Sequence, residues 1–149
     1  MDRIELLREL ANAFGVSGFE EDIGRILVEK LPKGIKVEKD GIGSIIAEKK
    51  GTSERPRIMI AAHLDEIGFM VKEITKDGFI KFLNIGGWYP GNLPGMRIKI
   101  KTRKGDLIPG VIGMKPIHEL KDEEKKQLPI QETLYIDVGA TRNFNIKEK

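Results

Sequence analysis

Residues 58–71 read IMIAAHLDEIGFMV, and the fold turns on this stretch. Ile58, Met59, Ile60, Ala61 and Ala62 are apolar without alternation. A strand that is apolar on both faces belongs inside a sheet covered on both sides, as in an open α/β sheet. Residues 57–62 are therefore expected to form such a strand. His63 stands where that strand would end, and Asp65 follows two residues on. Alternate side chains of an extended backbone point the same way. His63 and Asp65 would then project together from the carboxyl end of the strand, where open α/β sheets place their sites. A histidine that ligates a metal through one ring nitrogen needs its other N–H held, commonly by a carboxylate. The pair supplies both parts. On pattern alone a second reading stays open: a polar histidine in an ordinary loop. One histidine and one carboxylate also fall short of the roughly three protein ligands of a catalytic zinc.

Upstream, Ile4, Leu7, Leu10, Ala11 and Phe14 recur at helical spacing, so residues 3–14 are expected as an amphipathic helix stopped by Gly15. Ser17 with Glu20 three residues later has the spacing of a capping box. The stripe Phe19, Ile23, Ile26, Leu27 and Leu31 makes the second helix, ended by Pro32. The segment Gly15-Val16-Ser17-Gly18 reads as the capping turn, with an anion cradle as the alternative. Residues 35–39 and 45–48 are expected as strands around the turn signal Asp40-Gly41.

Downstream the texture becomes β-rich. Residues 67–74 and 79–83 flank Lys76-Asp77-Gly78, and residues 96–102 and 106–112 flank Lys104-Gly105. Both are hairpin signals. Residues 134–138 add a further strand, and residues 119–127 a charged helical turn or loop. Short strands with glycine-rich turns indicate a small barrel or sandwich. Trp88 and Tyr89 lie in a Pro/Gly-rich loop, read either as packing or as a contact surface. The chain thus reads as two units, residues 1–66 and residues 67–149.

Composition narrows the function. The 149 residues contain no cysteine, which excludes disulfides, zinc–thiolate sites and cysteine nucleophiles, so any metal must take His, Asp, Glu or carbonyl ligands. The 26 basic and 23 acidic residues are interspersed, which is a solvated surface and not a nucleic-acid groove. Residues 58–62 are the longest aliphatic run, too short for a membrane span. The start of the chain lacks the pattern of a secretion signal, so the expected location is cytoplasmic. The lysine and glutamate content also fits a thermophile. His118, in the charged segment KPIHELKDEEKK, reads as solvated, as do Asp122, Glu123 and Glu124 between Lys121, Lys125 and Lys126. Phosphate-loop, dinucleotide and Gly-x-Ser-x-Gly patterns are missing.

Six ordered blocks resemble the tetrahedral (TET) aminopeptidase family, whose members also carry endoglucanase and glutamyl or deblocking aminopeptidase labels. They are GVSGFEEDIGRIL (15–27), DGIGSIIAEKKG (40–51), IMIAAHLDEIGFMV (58–71), IGGWYPGNL (85–93), GVIGMKPIHELKDEEKK (110–126) and LYIDVGA (134–140). The resemblance implies an α/β fold. Residues 1–66 would be the N-terminal part of an aminopeptidase-type catalytic domain, with two helices and about three strands. Residues 67–149 would be a small β-barrel dimerisation-type domain.

The resemblance further implies release of N-terminal residues from short peptides, with two divalent metals per site, zinc or cobalt. His63 would be a metal ligand and Asp65 the catalytic carboxylate that orients it. Homo-oligomers would form through the barrel, with neither nucleic acid nor membrane as partner. Ser44 stands where the family commonly has Asn, and Ile117 where it commonly has Pro. The ending TRNFNIKEK departs from the family, whose bridging Asp, general-base Glu and remaining ligands follow this region. The expectation is a truncated enzyme, from a frameshift or an early stop, that holds metal weakly or not at all and lacks activity of its own. A non-catalytic assembly module is the alternative. An endoglucanase is disfavoured, since no carboxylate pair is placed for glycoside hydrolysis.

Overall fold

Two short helices open the chain. Helix α1 (Arg3–Asn12) starts at Asp2, whose side chain accepts the Ile4 N–H at 3.1 Å. Helix α2 (Glu21–Lys30) carries Glu21 and Asp22 in its first turn and Lys30 in its last, matching the charges at the helix ends. Lys30 Nζ reaches Glu9 Oε2 at 2.7 Å and ties α2 to α1. The expected capping box is not formed. Residues 16–19 close a turn through the Phe19 N–H and the Val16 carbonyl at 2.8 Å. Glu20 instead folds back to accept the Gly18 N–H at 2.7 Å, and α2 begins after it.

The structure is a computed structural model that describes residues 2–140. It divides into two units, Met1–Glu66 and Ile67–Lys149. In the first, β1 (Lys36–Lys39) and β2 (Ile45–Glu48) pair antiparallel, from Lys36 opposite Glu48 to Lys39 opposite Ile45. Asp40 organises the turn: its Oδ1 accepts the N–H groups of Ile42 at 3.0 Å and Ser44 at 2.8 Å. Gly43 supplies the positive φ of 97° that the turn requires.

The strand expected at residues 57–62 is not formed, so this unit has two strands where about three were expected. The reason is pairing. A strand exists through a neighbour that completes its backbone hydrogen bonds, and β1 and β2 use each other. Among the described residues no strand or backbone hydrogen bond pairs with residues 57–62. Ile58, Met59 and Ile60 are consequently 83%, 89% and 92% exposed. Val16 is the one buried large hydrophobic residue of the unit among the described residues.

The second unit has a core. Strands β3 (Gly68–Ile74), β4 (Ile80–Ile85), β5 (Arg97–Lys101), β6 (Leu107–Gly113) and β7 (Tyr135–Asp137) form one antiparallel sheet in the order β3-β4-β7-β6-β5. Two hairpins, β3–β4 and β5–β6, are thus joined through β7. Strand β6 serves two partners in succession. Residues 107–111 pair with β5, and residues 111–113 pair with β7. Pro109 lies in the half with a single partner, where its missing N–H leaves no ladder bond unmade.

Ile80, Phe82, Leu93, Ile112, Leu134 and Ile136 are buried together. Trp88 packs against them. It stacks on Phe69 with ring centroids 4.7 Å apart, and its Nε1–H donates to the Gly68 carbonyl at 3.0 Å. Of the two readings for that loop, packing holds for Trp88, while Tyr89 stays exposed. Residues 117–126 contain two short 3-10 turns, Ile117–Glu119 and Glu124–Lys126, and their charged side chains face solvent.

Ile136 bridges both hairpins, pairing with Ile80 and with Ile112. Ile136→Ala should therefore cost about 2–5 kcal/mol, read as a lowered urea midpoint of the second unit. Asp40 gives a test in the first. Hydrogen bonds from Ser44, through its side chain and then its N–H, hold the Asp40 carboxyl below its ordinary value, helped by Ile42 and Gly43. A carboxylate with a lowered folded pKa stabilises above its unfolded pKa, and loses that contribution as pH falls through the folded value. Ser44→Ala should raise the Asp40 midpoint in a carbon-detected NMR titration and move the acid-side loss of the turn to higher pH.

Candidate functional site

The segment bearing His63 and Asp65 is placed by backbone pairing with the loop between α1 and α2. Glu66 N–H donates to the Gly15 carbonyl at 2.8 Å, and Ser17 N–H donates to the Glu66 carbonyl at 3.4 Å. Val16 and Glu66 form a parallel bridge. Gly15 permits the approach. A Cβ there would meet Ile23 Cγ2 at 3.1 Å and the Leu64 carbonyl oxygen at 3.5 Å. The Gly15-Val16-Ser17-Gly18 segment is thus an anchor for the residues around 63–66. Neither sequence reading of that segment, capping turn or anion cradle, anticipated this. Its signal was the frame of small residues around Val16, with Gly15 before it and Ser17-Gly18 after it.

His63 and Asp65 lie together. His63 Nδ1 is 3.0 Å from the Asp65 carbonyl oxygen and 3.1 Å from Asp65 Oδ1. A carbonyl oxygen only accepts, so the proton is assigned to Nδ1. The neutral ring then carries its lone pair on Nε2. Both side chains are open to solvent, the His63 ring at 86% and Asp65 at 41%. Chemically the arrangement is an imidazole with a fixed tautomer and one outward donor nitrogen. Among the described residues no group of three or more His, Asp or Glu side chains gathers. These residues therefore fit one ligand position and not a complete metal site.

Other candidates stay apart. His118 is exposed in the Ile117–Glu119 turn of the second unit. Asp122 pairs with Lys125 at 2.9 Å, and Glu124 accepts the Lys121 N–H at 2.6 Å, so these acids are compensated locally. No helix of the described residues is long and apolar enough to cross a membrane.

Comparison with known proteins agrees along nearly the whole length. The chain is 35% identical over 147 residues to the lysyl aminopeptidase of Pyrococcus furiosus, covering 97% of this chain and 42% of that protein. It is 38% identical over 146 residues to the glutamyl aminopeptidase of Lactococcus lactis, covering 96% of this chain and 41% of that one. Among solved structures, a TET aminopeptidase from a marine sediment archaeon superposes with a TM-score of 0.86 at 40% identity, over 93% of this chain and 39% of that chain. The TET1 peptidase of Pyrococcus horikoshii, which assembles into a tetrahedron or a large octahedral shell, superposes with a TM-score of 0.80 at 34% identity, over 94% and 41%. This chain thus spans about two fifths of the length of the relatives it matches. Residues 43–148 match the sequence profile of the M42 glutamyl aminopeptidases, and the chain belongs to that family of aminopeptidases, which are hydrolases.

Proposed function

We propose that this chain contributes one corner of a metal-dependent aminopeptidase site, with His63 as metal ligand and Asp65 as the carboxylate that fixes its ring. The single observation that carries this reading is the Nδ1 contact to Asp65, which leaves Nε2 as the outward donor. Family membership supports peptide hydrolysis from the amino terminus as the reaction. A divalent ion, zinc or cobalt, completed by further donors, would activate water and polarise the scissile carbonyl. The role of this chain's own residues is narrower. Asp65 selects the tautomer and restrains the ring, and His63 offers Nε2.

The second unit is proposed as the barrel-type dimerisation element. Support comes from its self-sufficient core and from the shell-forming relative. A non-catalytic assembly role is a second reading. One observation favours it: residues 2–140 bring together no complete donor set.

Two measurements test the proposal. Cobalt(II) added to the 149-residue chain should shift the ring signals of His63 well before those of His118, and His63→Ala should remove that response. Equal perturbation of both histidines would refute the ligand assignment. The same polypeptide, alone, should show no turnover of amino-acid p-nitroanilides above the buffer rate with zinc or cobalt present. Robust hydrolysis by pure protein would overturn the single-corner reading.

A further inference from the structure

The sequence contains two Asp-Gly steps, Asp40-Gly41 and Asp77-Gly78, and both lie in exposed hairpin turns. An Asp-Gly step is where a polypeptide rearranges most readily without an enzyme. The glycine has no side chain to hinder attack by its backbone nitrogen on the aspartate Cγ. Two conditions govern that attack. The carboxyl must be protonated, so that water can leave, and it must swing free of its partners toward the nitrogen.

The two steps differ in what is held. At the first, the reacting carboxylate is the centre of the turn. Asp40 Oδ1 accepts the Ile42 N–H at 3.0 Å and the Ser44 N–H at 2.8 Å, and the Ser44 hydroxyl adds a further bond. Donors of this kind favour the ionised form, which offers the attacking nitrogen no hydroxyl to expel. At the second, no hydrogen bond or ion pair engages the Asp77 carboxylate among the described residues. This step is restrained by one bond on the nucleophile, from the Gly78 N–H to the Thr75 carbonyl at 3.1 Å. It closes an exposed turn, and bonds in such places open far more often than the fold as a whole.

We propose that Asp77-Gly78 is a self-modification site, where aspartate rearranges to isoaspartate while Asp40-Gly41 is shielded by its own turn. The Gly78 nitrogen bonds to Asp77 Cγ, and its proton leaves with the carboxyl hydroxyl as water, which gives a succinimide. One water then adds to either ring carbonyl and opens the ring. Opening at the former backbone carbonyl of Asp77 routes the chain through the side chain and frees an α-carboxylate. The backbone is then one carbon longer within the turn that sets the β3–β4 register. Ile74 faces Ile80 beside that turn, and Ile80 in turn pairs with Ile136 in the core. A change at an exposed aspartate is thereby carried to the residues that join the two hairpins.

The test ages the 149-residue chain at neutral pH in the warm, digests it, and measures isoaspartate at each step by electron-transfer fragmentation. Residue 77 should convert about fivefold faster than residue 40 or more, a ratio that corresponds to roughly one net hydrogen bond. In concentrated urea the two rates should converge. Ser44→Ala should narrow the ratio in the folded chain by releasing Asp40. Asp77→Glu changes a residue already in solvent. It should remove the signal at 77 while leaving amide exchange in β4, β6 and β7 as in the fresh parent chain. The aged parent should exchange faster than the fresh one at Ile80 and Ile136. Equal rates at 40 and 77 in the folded chain, a ratio that persists in urea, or no isoaspartate at 77 overturns the proposal.

Discussion

Everything the site can do depends on a short backbone clasp, the two hydrogen bonds that hold Glu66 between Gly15 and Ser17. Without it the residues from 57 to 66 would have no fixed relation to the helices. Backbone donors and acceptors must be partnered somewhere, and this clasp is where the segment finds protein partners before the second unit begins. It sits directly after His63 and Asp65. The pair is therefore held at its downstream end.

The two units contrast in how they meet the cost of chain ordering, which runs to about 1–2 kcal/mol per residue for the backbone alone. Among the described residues the second unit buries six large hydrophobic residues in and around a five-stranded sheet, with Trp88 and Phe69 stacked at the margin. The first relies on local devices: the Asp2 cap, the Lys30–Glu9 ion pair, the Asp40 turn and the clasp. Exposed ion pairs of this sort contribute at most about 1 kcal/mol each. Chemistry-bearing residues thus sit on the unit with the smaller reserve.

Much of the local structure was legible because its causes are local. The Asp40-Gly41, Asp77-Gly78 and Lys104-Gly105 turns lie between the expected strands, with Gly43, Gly78 and Gly105 at positive φ. The His63–Asp65 contact follows from a two-residue spacing that any extended segment would bring close. What could not be read were properties fixed by distant partners. Residues 57–62 have the composition of a central strand, yet strand formation needs neighbours that the described residues do not provide. The capping box failed for a related reason. Ser17 had a distant backbone partner in Glu66, which no local pattern of residues announces. The joining of two hairpins through β7 was equally hidden, since Tyr135–Asp137 is only three residues long and its partners lie up to 56 positions away.

The division of β6 between two partners carries a cost in evolutionary latitude. Residues 107–111 are in register with β5, and Val111–Gly113 with β7, inside seven continuous residues. Inserting or deleting one residue there would reverse the facing of everything beyond it. Ile112 would turn outward, and Gly110 would no longer sit under the Ile136 side chain, where a Cβ would stand 2.8 Å from Cγ2. Length changes in this family should therefore accumulate in the loops on either side of β6 and spare the strand itself.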